Sequence, residues 1–488
     1  MGSVLHLRLF AIICLFLTGI GIRSEAQDRC GIIQYTKILE QKKLLPENEK
    51  KFEEWLSRRI SQDGSRINTV SNIKIPVVFH VVHNGEAVGS GTNLSEAQIQ
   101  SQIKVLNNDF RRMNADTVKT PLEFAGIAGK VNIEFVLAKQ SPEGIATSGI
   151  VRVKGTKKQW GINDDGVLKA LSYWPAENYL NIWVTDLASS LLGYAQFPIS
   201  DLPGLESAED NRLTDGVVLD YRIVGSAQDG SFNLTDSFNR GRTATHEVGH
   251  FLGLRHIWGD DEGACSGTGD YVDDTPDQGD QSDGCPSHPQ ISCNGKTMFQ
   301  NYMDYTNDVC MNLYTRQQAE RMLTVLENSP RRTSLLTSNG LYHPAPVAND
   351  LAITTIVSPA AAECTGSLIP VIAVKNMGLN MVTSATIAFS LNDETVEEKV
   401  ISFSLNVGEE TEISFEHYAM QPGTSDFQFE ILQTNSTADG KPNDNVRSVI
   451  SNVKDFIETP FVENFGSMPL AWDIANADDG TTWSIVDA

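Results

Sequence analysis

The eleven residues from His246 to His256, His-Glu-Val-Gly-His-Phe-Leu-Gly-Leu-Arg-His, constrain the fold of this chain more than any other stretch. On a helix, residues four apart lie one above the other, so His246 and His250 point their imidazoles at a single ion. A third imidazole reaches that ion only if the chain leaves the helix sharply, and Gly253, lacking Cβ, enters a left-handed turn at no steric cost. His256 then completes three neutral nitrogen ligands of the kind zinc takes. One tetrahedral position is left for water, whose pKa zinc lowers to about 7, and Glu247 lies beside it as a general base. A bare His-x-x-x-His is more often a pair of surface histidines; the glycine and the third histidine at fixed spacing make this signal specific.

A chain of 488 residues implies several domains, and 40% hydrophobic with 20% charged residues is ordinary for soluble globular protein. The net charge of -24 and pI near 4.7 argue against nucleic acid and anionic membrane as partners. Residues 1–26 carry Arg8, an apolar run from Leu9 to Ile20 and the small-x-small site Ser24-Glu25-Ala26, the pattern of a secretory signal peptide. No later stretch approaches the length of a membrane span. A secreted, extracellular protein is expected, its remaining cysteines in a compartment where disulfides persist.

Residues 27–65 read as a pro-segment too short to own a core, with an amphipathic helix opened by Pro46 and carrying Phe52, Leu56 and Ile60. Cys30, in Arg29-Cys30-Gly31, admits two readings. Its thiolate could occupy the zinc position where water belongs and keep the protein latent, or it could pair with Cys364, the other cysteine without an obvious partner. The catalytic domain is expected over residues 66–340. Ile75 to Val82 is nearly continuous in apolar residues, as in a strand covered on both faces. Ser95 and Gln98 form a capping box ahead of Ile99, Ile103, Leu106 and Phe110 on one helix. Further strands are expected at Val131–Leu137 and Tyr179–Val184. Leu191 to Ala195 reads either as an edge strand whose backbone would pair with an extended substrate or as an ordinary buried strand. His80 and His83 are read as structural.

From Asp260 to Asp283 the chain has nine acidic residues and no Lys or Arg. Oxygen ligands at Asp270, Asp273, Asp274 and Thr275 would suit a structural calcium, with a solvated acidic loop as the alternative. Cys265, Cys285, Cys293 and Cys310 lie in and after this loop and allow three pairings; their spacing lacks the paired C-x-x-C units of a zinc site. A helix capped by Thr315 and Gln318 closes the unit, and His343-Pro344-Ala345-Pro346 is a linker. Residues 347–454 alternate short apolar runs, at Leu351–Ile356, Ile369–Val374, Ala385–Leu391 and Phe427–Leu432, with turn residues. That pattern reads as an all-β, immunoglobulin-like sandwich. Residues 455–488, with Phe461, Phe465 and Trp472, read as the start of a truncated jelly-roll-like module. Surface or carbohydrate binding is the expectation for these β modules.

The stretch from His246 to Asp260, followed by Asp274-Thr275-Pro276, Asn301-Tyr302-Met303-Asp304-Tyr305-Thr306 and Cys310-Met311, resembles the pappalysin family of metzincin metalloproteases over about residues 73–335. The resemblance implies an α+β catalytic domain, a mixed twisted sheet with an active-site helix and a Met-turn at Met303, that hydrolyses peptide bonds in proteins. It implies zinc on His246, His250 and His256, Glu247 as base, and Tyr305 close enough to stabilise an oxyanion. It also implies disulfides Cys265–Cys293 and Cys285–Cys310, calcium near the acidic loop and a Cys30 switch. Asp308 falls in the segment that in metzincins walls the pocket for the residue after the scissile bond. A carboxylate there pairs with a guanidinium or ammonium, so cleavage before Arg or Lys is expected; a solvated acid or calcium ligand is the alternative. Self-processing is expected between Ser65 and Arg66, in a polar stretch before the first strand. A competing function, adhesion or binding by a protein with an inactive protease-like domain, would tolerate loss of a ligand or the base, yet all are present.

Overall fold

A computed structural model describes residues 29–42, 49–63, 72–200, 209–259, 265, 269–364 and 366–454. Two helices come first, α1 (Ile32–Gln41) and α2 (Glu49–Asp63). The strand β1 (Ile73–His83) then sets the plan of the catalytic unit, because its unbroken apolar run can be covered on both sides. Ile75, Val77, Phe79 and Val81 join the main core, while Val78 and Val82 face clusters on the opposite side. The chain continues through α3 (Glu96–Phe110), α4 (Leu122–Ala125), β2 (Ile133–Leu137), β3 (Ile150–Lys154), α5 (Asp165–Ala170), β4 (Leu180–Thr185), β5 (Gly193–Ala195) and β6 (Val217–Asp220). The sheet runs β2-β1-β4-β6-β5, with β3 continuing alongside β1 beyond β2. All of its pairings are parallel except β5 against β6, which makes β5 an antiparallel edge.

Behind that edge lies α6 (Arg242–Phe251), every residue of which is buried. Its first turn is held by charge. The Arg242 guanidinium donates to both oxygens of Asp116, to Asp109 of α3 and to the carbonyl oxygens of Asp308 and Met311. A buried cation with this many acceptors positions the helix against α3 and the segment near Asp308. After α6 come the two-residue strands β7 (Ile291–Ser292) and β8 (Gly295–Lys296), then α7 (Arg316–Asn328) with the expected reciprocal Thr315/Gln318 cap. Disulfides join Cys265 to Cys293 and Cys285 to Cys310.

The two leading helices bury their apolar residues on the catalytic unit. Tyr35 and Leu39 of α1 pack with Trp160, Trp183 and Tyr194, and Phe52, Trp55 and Leu56 of α2 pack with Val325 of α7. Pro46, residues 1–26 and the module from residue 455 lie outside the described residues.

Ten strands follow the linker: β9 (Leu351–Ser358), β10 (Ala362–Cys364), β11 (Gly366–Leu368), β12 (Val371–Asn376), β13 (Val382–Leu391), β14 (Glu394–Leu405), β15 (Glu410–Ser414), β16 (Tyr418–Met420), β17 (Gly423–Thr434) and β18 (Val446–Lys454). Sheets β10-β18-β17-β13-β14 and β15-β12-β9 enclose a core that includes Ile353, Val374, Ile387, Phe389, Phe427 and Phe429. The expected runs cover β9, β12, β13 and β17 but not β10, β11, β14, β15, β16 or β18. β14 is an edge strand whose first half is charged and outward, so its alternation is weak until it joins a neighbour.

Candidate active site

The helix α6 brings the Nε2 atoms of His246 and His250 to 3.0 Å, and His256 Nε2 lies 3.2 and 3.1 Å from them. The other ring nitrogens face acceptors: His246 Nδ1 is 2.7 Å from Tyr302 O and His250 Nδ1 is 2.8 Å from Leu254 O. With protons on those Nδ1 atoms, the Nε2 lone pairs converge on one point, an arrangement that repels itself unless a cation sits there. The donor set therefore fits a metal. Gly253 sits at φ +89°, and the turn it makes supplies both the Leu254 carbonyl that orients His250 and the return path to His256.

Met303 is buried beneath this cluster. A Cβ on Gly249 would lie 2.6 Å from Met303 Sδ, so the helix passes over the methionine only because residue 249 has no side chain. The Trp258 ring stacks on His256 at 4.3 Å and Tyr305 meets the same ring edge-on at 4.9 Å. The Tyr305 hydroxyl donates to Cys30 O at 3.3 Å.

Glu247 is fully buried. Burial pushes its carboxyl up to about 8, opposed by a hydrogen bond from the Cys30 thiol to Oε2 at 3.5 Å. A cation at the three nitrogens would pull that value back down. Oε1 has no hydrogen-bond partner among the described residues. Gly193 of β5 lies directly over this carboxylate, where an added Cβ would meet Glu247 Cγ at 3.0 Å and Oε1 at 3.2 Å.

The edge of β5 is occupied by residues 29–31. Gly31 N donates to Gly193 O at 2.9 Å and Leu192 N to Arg29 O at 3.0 Å, with Cys30 bridged to Gly193 in parallel. Cys30 Sγ falls within 4.8 Å of the three histidine nitrogens. Neither Cys30 nor Cys364 enters a disulfide: Cys30 is buried at this cluster and Cys364 is exposed on β10, which overturns the pairing of the two.

Arg29 enters the adjoining pocket, its guanidinium 3.9 Å from the Phe238 ring centroid and donating to Thr306 O at 3.0 Å. Burial lowers its pKa to about 10, with Asp308 and Asp283 opposing the shift. Asp308 also lines this pocket, but it is not a solvated acid. Its Oδ2 accepts from the backbone N–H of Arg240 at 2.8 Å and Arg242 at 3.3 Å, at the entry to α6. Its Oδ1, also buried, has no partner among the described residues.

A second attachment lies on α2. Glu53 accepts from Arg321 of α7 at 2.6 and 2.7 Å and from Arg255 at 2.8 Å, one residue before His256. Sequence reasoning missed Glu53, Trp258, the pocket role of Arg29 and the placing of Gly193, in an expected edge strand, over Glu247. The position of Arg29 beside Cys30 was a usable signal; a glutamate on an amphipathic helix was not.

Among the described residues of the acidic loop, Asp270 and Thr275 meet, while Asp273 and Asp274 turn elsewhere. Asp270 is buried and accepts from the Thr275 hydroxyl at 2.8 Å and from Val272 N at 3.1 Å. Asp274 Oδ2 accepts from Gln317 N at 3.0 Å, and Asp273 is exposed. Ser65 and Arg66 lie outside the described residues.

The pregnancy-associated plasma protein-A peptidase family model matches residues 161–327, and the CARDB model matches residues 348–449. An extracellular metalloprotease from Arthroderma gypseum is 30% identical over 322 residues, 63% of this chain and 87% of the relative. One from Verticillium alfalfae is 34% identical over 267 residues, 54% of this chain and 79% of the relative. Mature mirolysin from Tannerella forsythia, in complex with a cleaved peptide, is 45% identical with a TM-score of 0.50, covering 57% of this chain and all of that one. A promirolysin mutant is 40% identical with a TM-score of 0.53, covering 65% and 99%. The catalytic domain is mirolysin-like, a CARDB β-sandwich follows it, and the chain belongs to the pappalysin family of metalloproteases.

Proposed function

We propose that this chain is a secreted, zinc-dependent endopeptidase, made latent, that cleaves proteins before Arg or Lys. One observation carries the reading: three Nε2 atoms converge at 3.0–3.2 Å beside a buried glutamate with an unpartnered oxygen. His246, His250 and His256 would hold the zinc ion, which when bound would supply Lewis acidity to the attacking water and the scissile carbonyl. Glu247 takes the proton from the attacking water and delivers it to the leaving amine. The Tyr305 hydroxyl, which donates to a carbonyl in the pro-segment, donates to the substrate oxyanion once that segment is gone. The edge of β5 that residues 29–31 cover pairs with the substrate backbone once they are gone, and Met303 serves as the Met-turn under the histidines.

Preference for Arg or Lys rests on Asp308 Oδ1, a buried acceptor left without a donor in a pocket that already holds the Arg29 guanidinium. Latency rests on Cys30 beside the histidine cluster and on Arg29 in that pocket, with the Ser65–Arg66 bond as the processing site. Secretion draws support from the extracellular relatives; no described helix is long and apolar enough to cross a membrane. For the acidic loop, calcium is retained as a separate reading, with Asp270 and Asp274 as its inward-facing members. The inactive-protein alternative finds no lost ligand in this geometry. Peptide-library cleavage by the processed chain tests the whole: Arg or Lys is expected after the scissile bond, with Asp308→Asn reducing that preference about 10- to 100-fold. Cleavage with no preference for a basic residue, or an unaltered preference in the variant, would remove the pocket assignment.

A further inference from the structure

The β-sandwich contains a group of carboxylates with no role in the catalytic reading. Asp350 immediately precedes β9, while Asp439 and Asp444 lie in the loop between β17 and β18. One carboxylate oxygen from each falls within 4.8 Å of the others. Such oxygens around one calcium at roughly 2.3–2.6 Å would lie at separations of this order.

Acidic residues often cluster without an ion, so the state of each oxygen matters. Asp350 is fully buried and its Oδ1 receives no hydrogen bond among the described residues; its Oδ2 has the Lys441 ammonium at 3.3 Å. Asp444 is also buried and its Oδ1 receives none; neither does the buried Oδ1 of Asn445. Asp439 is better served, accepting from Leu351 N at 2.9 Å and from the Thr434 hydroxyl at 2.7 Å. A buried carboxylate oxygen without a donor is costly, and Lys441 is one ammonium against three carboxylates.

We propose that Asp350, Asp439 and Asp444 form a calcium site in the β-sandwich, at the end where the chain enters it. Three carboxylates, with no imidazole or thiol in the group, favour a hard cation over zinc. The ion would tie the start of β9 to the β17–β18 loop. It would also stiffen the turn after β12, whose Met377 and Gly378 N–H groups donate to Asp350 O.

Hydrogen exchange on the full chain, with calcium removed by a calcium-selective chelator and then restored at millimolar level, reads the site locally. Calcium should slow exchange in residues 434–446 and 349–352 about tenfold or more, and magnesium at the same level should not. Asp350→Asn and Asp444→Asn should abolish that protection and lower bound calcium by one ion per chain, while β13 keeps its calcium-free protection. No calcium effect on these segments in the unmodified chain would overturn the site whatever the variants do. Equal protection by magnesium, or unchanged calcium stoichiometry in folded variants, would overturn it as well.

Discussion

The interiors of the catalytic unit and the β-sandwich are built differently. Around the active site the buried residues include His246, Glu247, His250, His256, Arg242, Asp109 and Asp308, and farther away Lys169, Asp215 and Arg332. The sandwich core is aliphatic and aromatic: the Phe389 ring stacks with Phe429 at 5.2 Å and with Phe427 at 5.8 Å. Buried charge is costly unless matched, so groups such as Arg242, Asp109 and Asp215 are placed by charged partners, whereas the rings and aliphatic chains of the sandwich core are placed by volume. Substitutions in the two regions should therefore be read by different instruments, rate and pH in one and stability in the other.

The largest effect should come from Glu247→Ala, which leaves the three histidines in place and removes the base. Turnover of the processed chain should fall about 10^2- to 10^4-fold with bound zinc unchanged; chelation should abolish it. A variant that digests protein at the parent rate would end the mechanistic reading. Phe389→Ala is the counterpart in the sandwich. It should cost about 3–5 kcal/mol in the unfolding of that region while kcat/KM on a short peptide stays the same. A drop in peptide kcat/KM would mean that the two interiors are coupled.

The contacts that residues 29–63 make with the catalytic unit sharpen the contrast. Cys30 and Arg29 engage the site itself, while Glu53 anchors α2 through Arg321 and Arg255. Glu53→Gln removes the negative charge that Arg321 and Arg255 share on α2 and should weaken attachment of α2 by about 2–4 kcal/mol. Zymogen activation should be faster, with the mature enzyme identical to the parent. Cys30→Ala should also shorten latency, and unchanged activation times in both variants would remove the pro-segment from the control of activity.

The smallest effect concerns a buried histidine outside the site. His80 lies between Ser172 Oγ at 2.7 Å and Asn181 Oδ1 at 2.9 Å, and burial lowers its pKa to about 4 from 6.5. The unfolded chain takes up this proton first, so the stability that neutral His80 contributes is complete above about pH 6.5 and is lost as pH falls towards 4. Between pH 7.5 and pH 4.5 the loss should be about 2–3 kcal/mol. Chemical denaturation of His80→Asn should show a shallower pH dependence by that amount, and an identical slope would place the proton elsewhere.

The metal ligands and base were legible because a helix repeats its face every three to four residues and a glycine marks the exit; local geometry alone brings His246, His250 and His256 together. The strand β1, the reciprocal Thr315/Gln318 cap and the alternating runs of the sandwich were legible because each rests on a short local pattern; at Ser95 only half of the expected box forms, Gln98 N donating to Ser95 Oγ while the Gln98 side chain turns to Val224 O. Gly193 over Glu247, Trp258 on His256, Arg29 in the Asp308 pocket and Glu53 between two arginines were decided only in the tertiary structure. So was the meeting of Asp350 with Asp439 and Asp444. In each case the partners come from elements far apart or on no common period. A charge finds its counter-charge by the path of the whole chain, which no local pattern encodes.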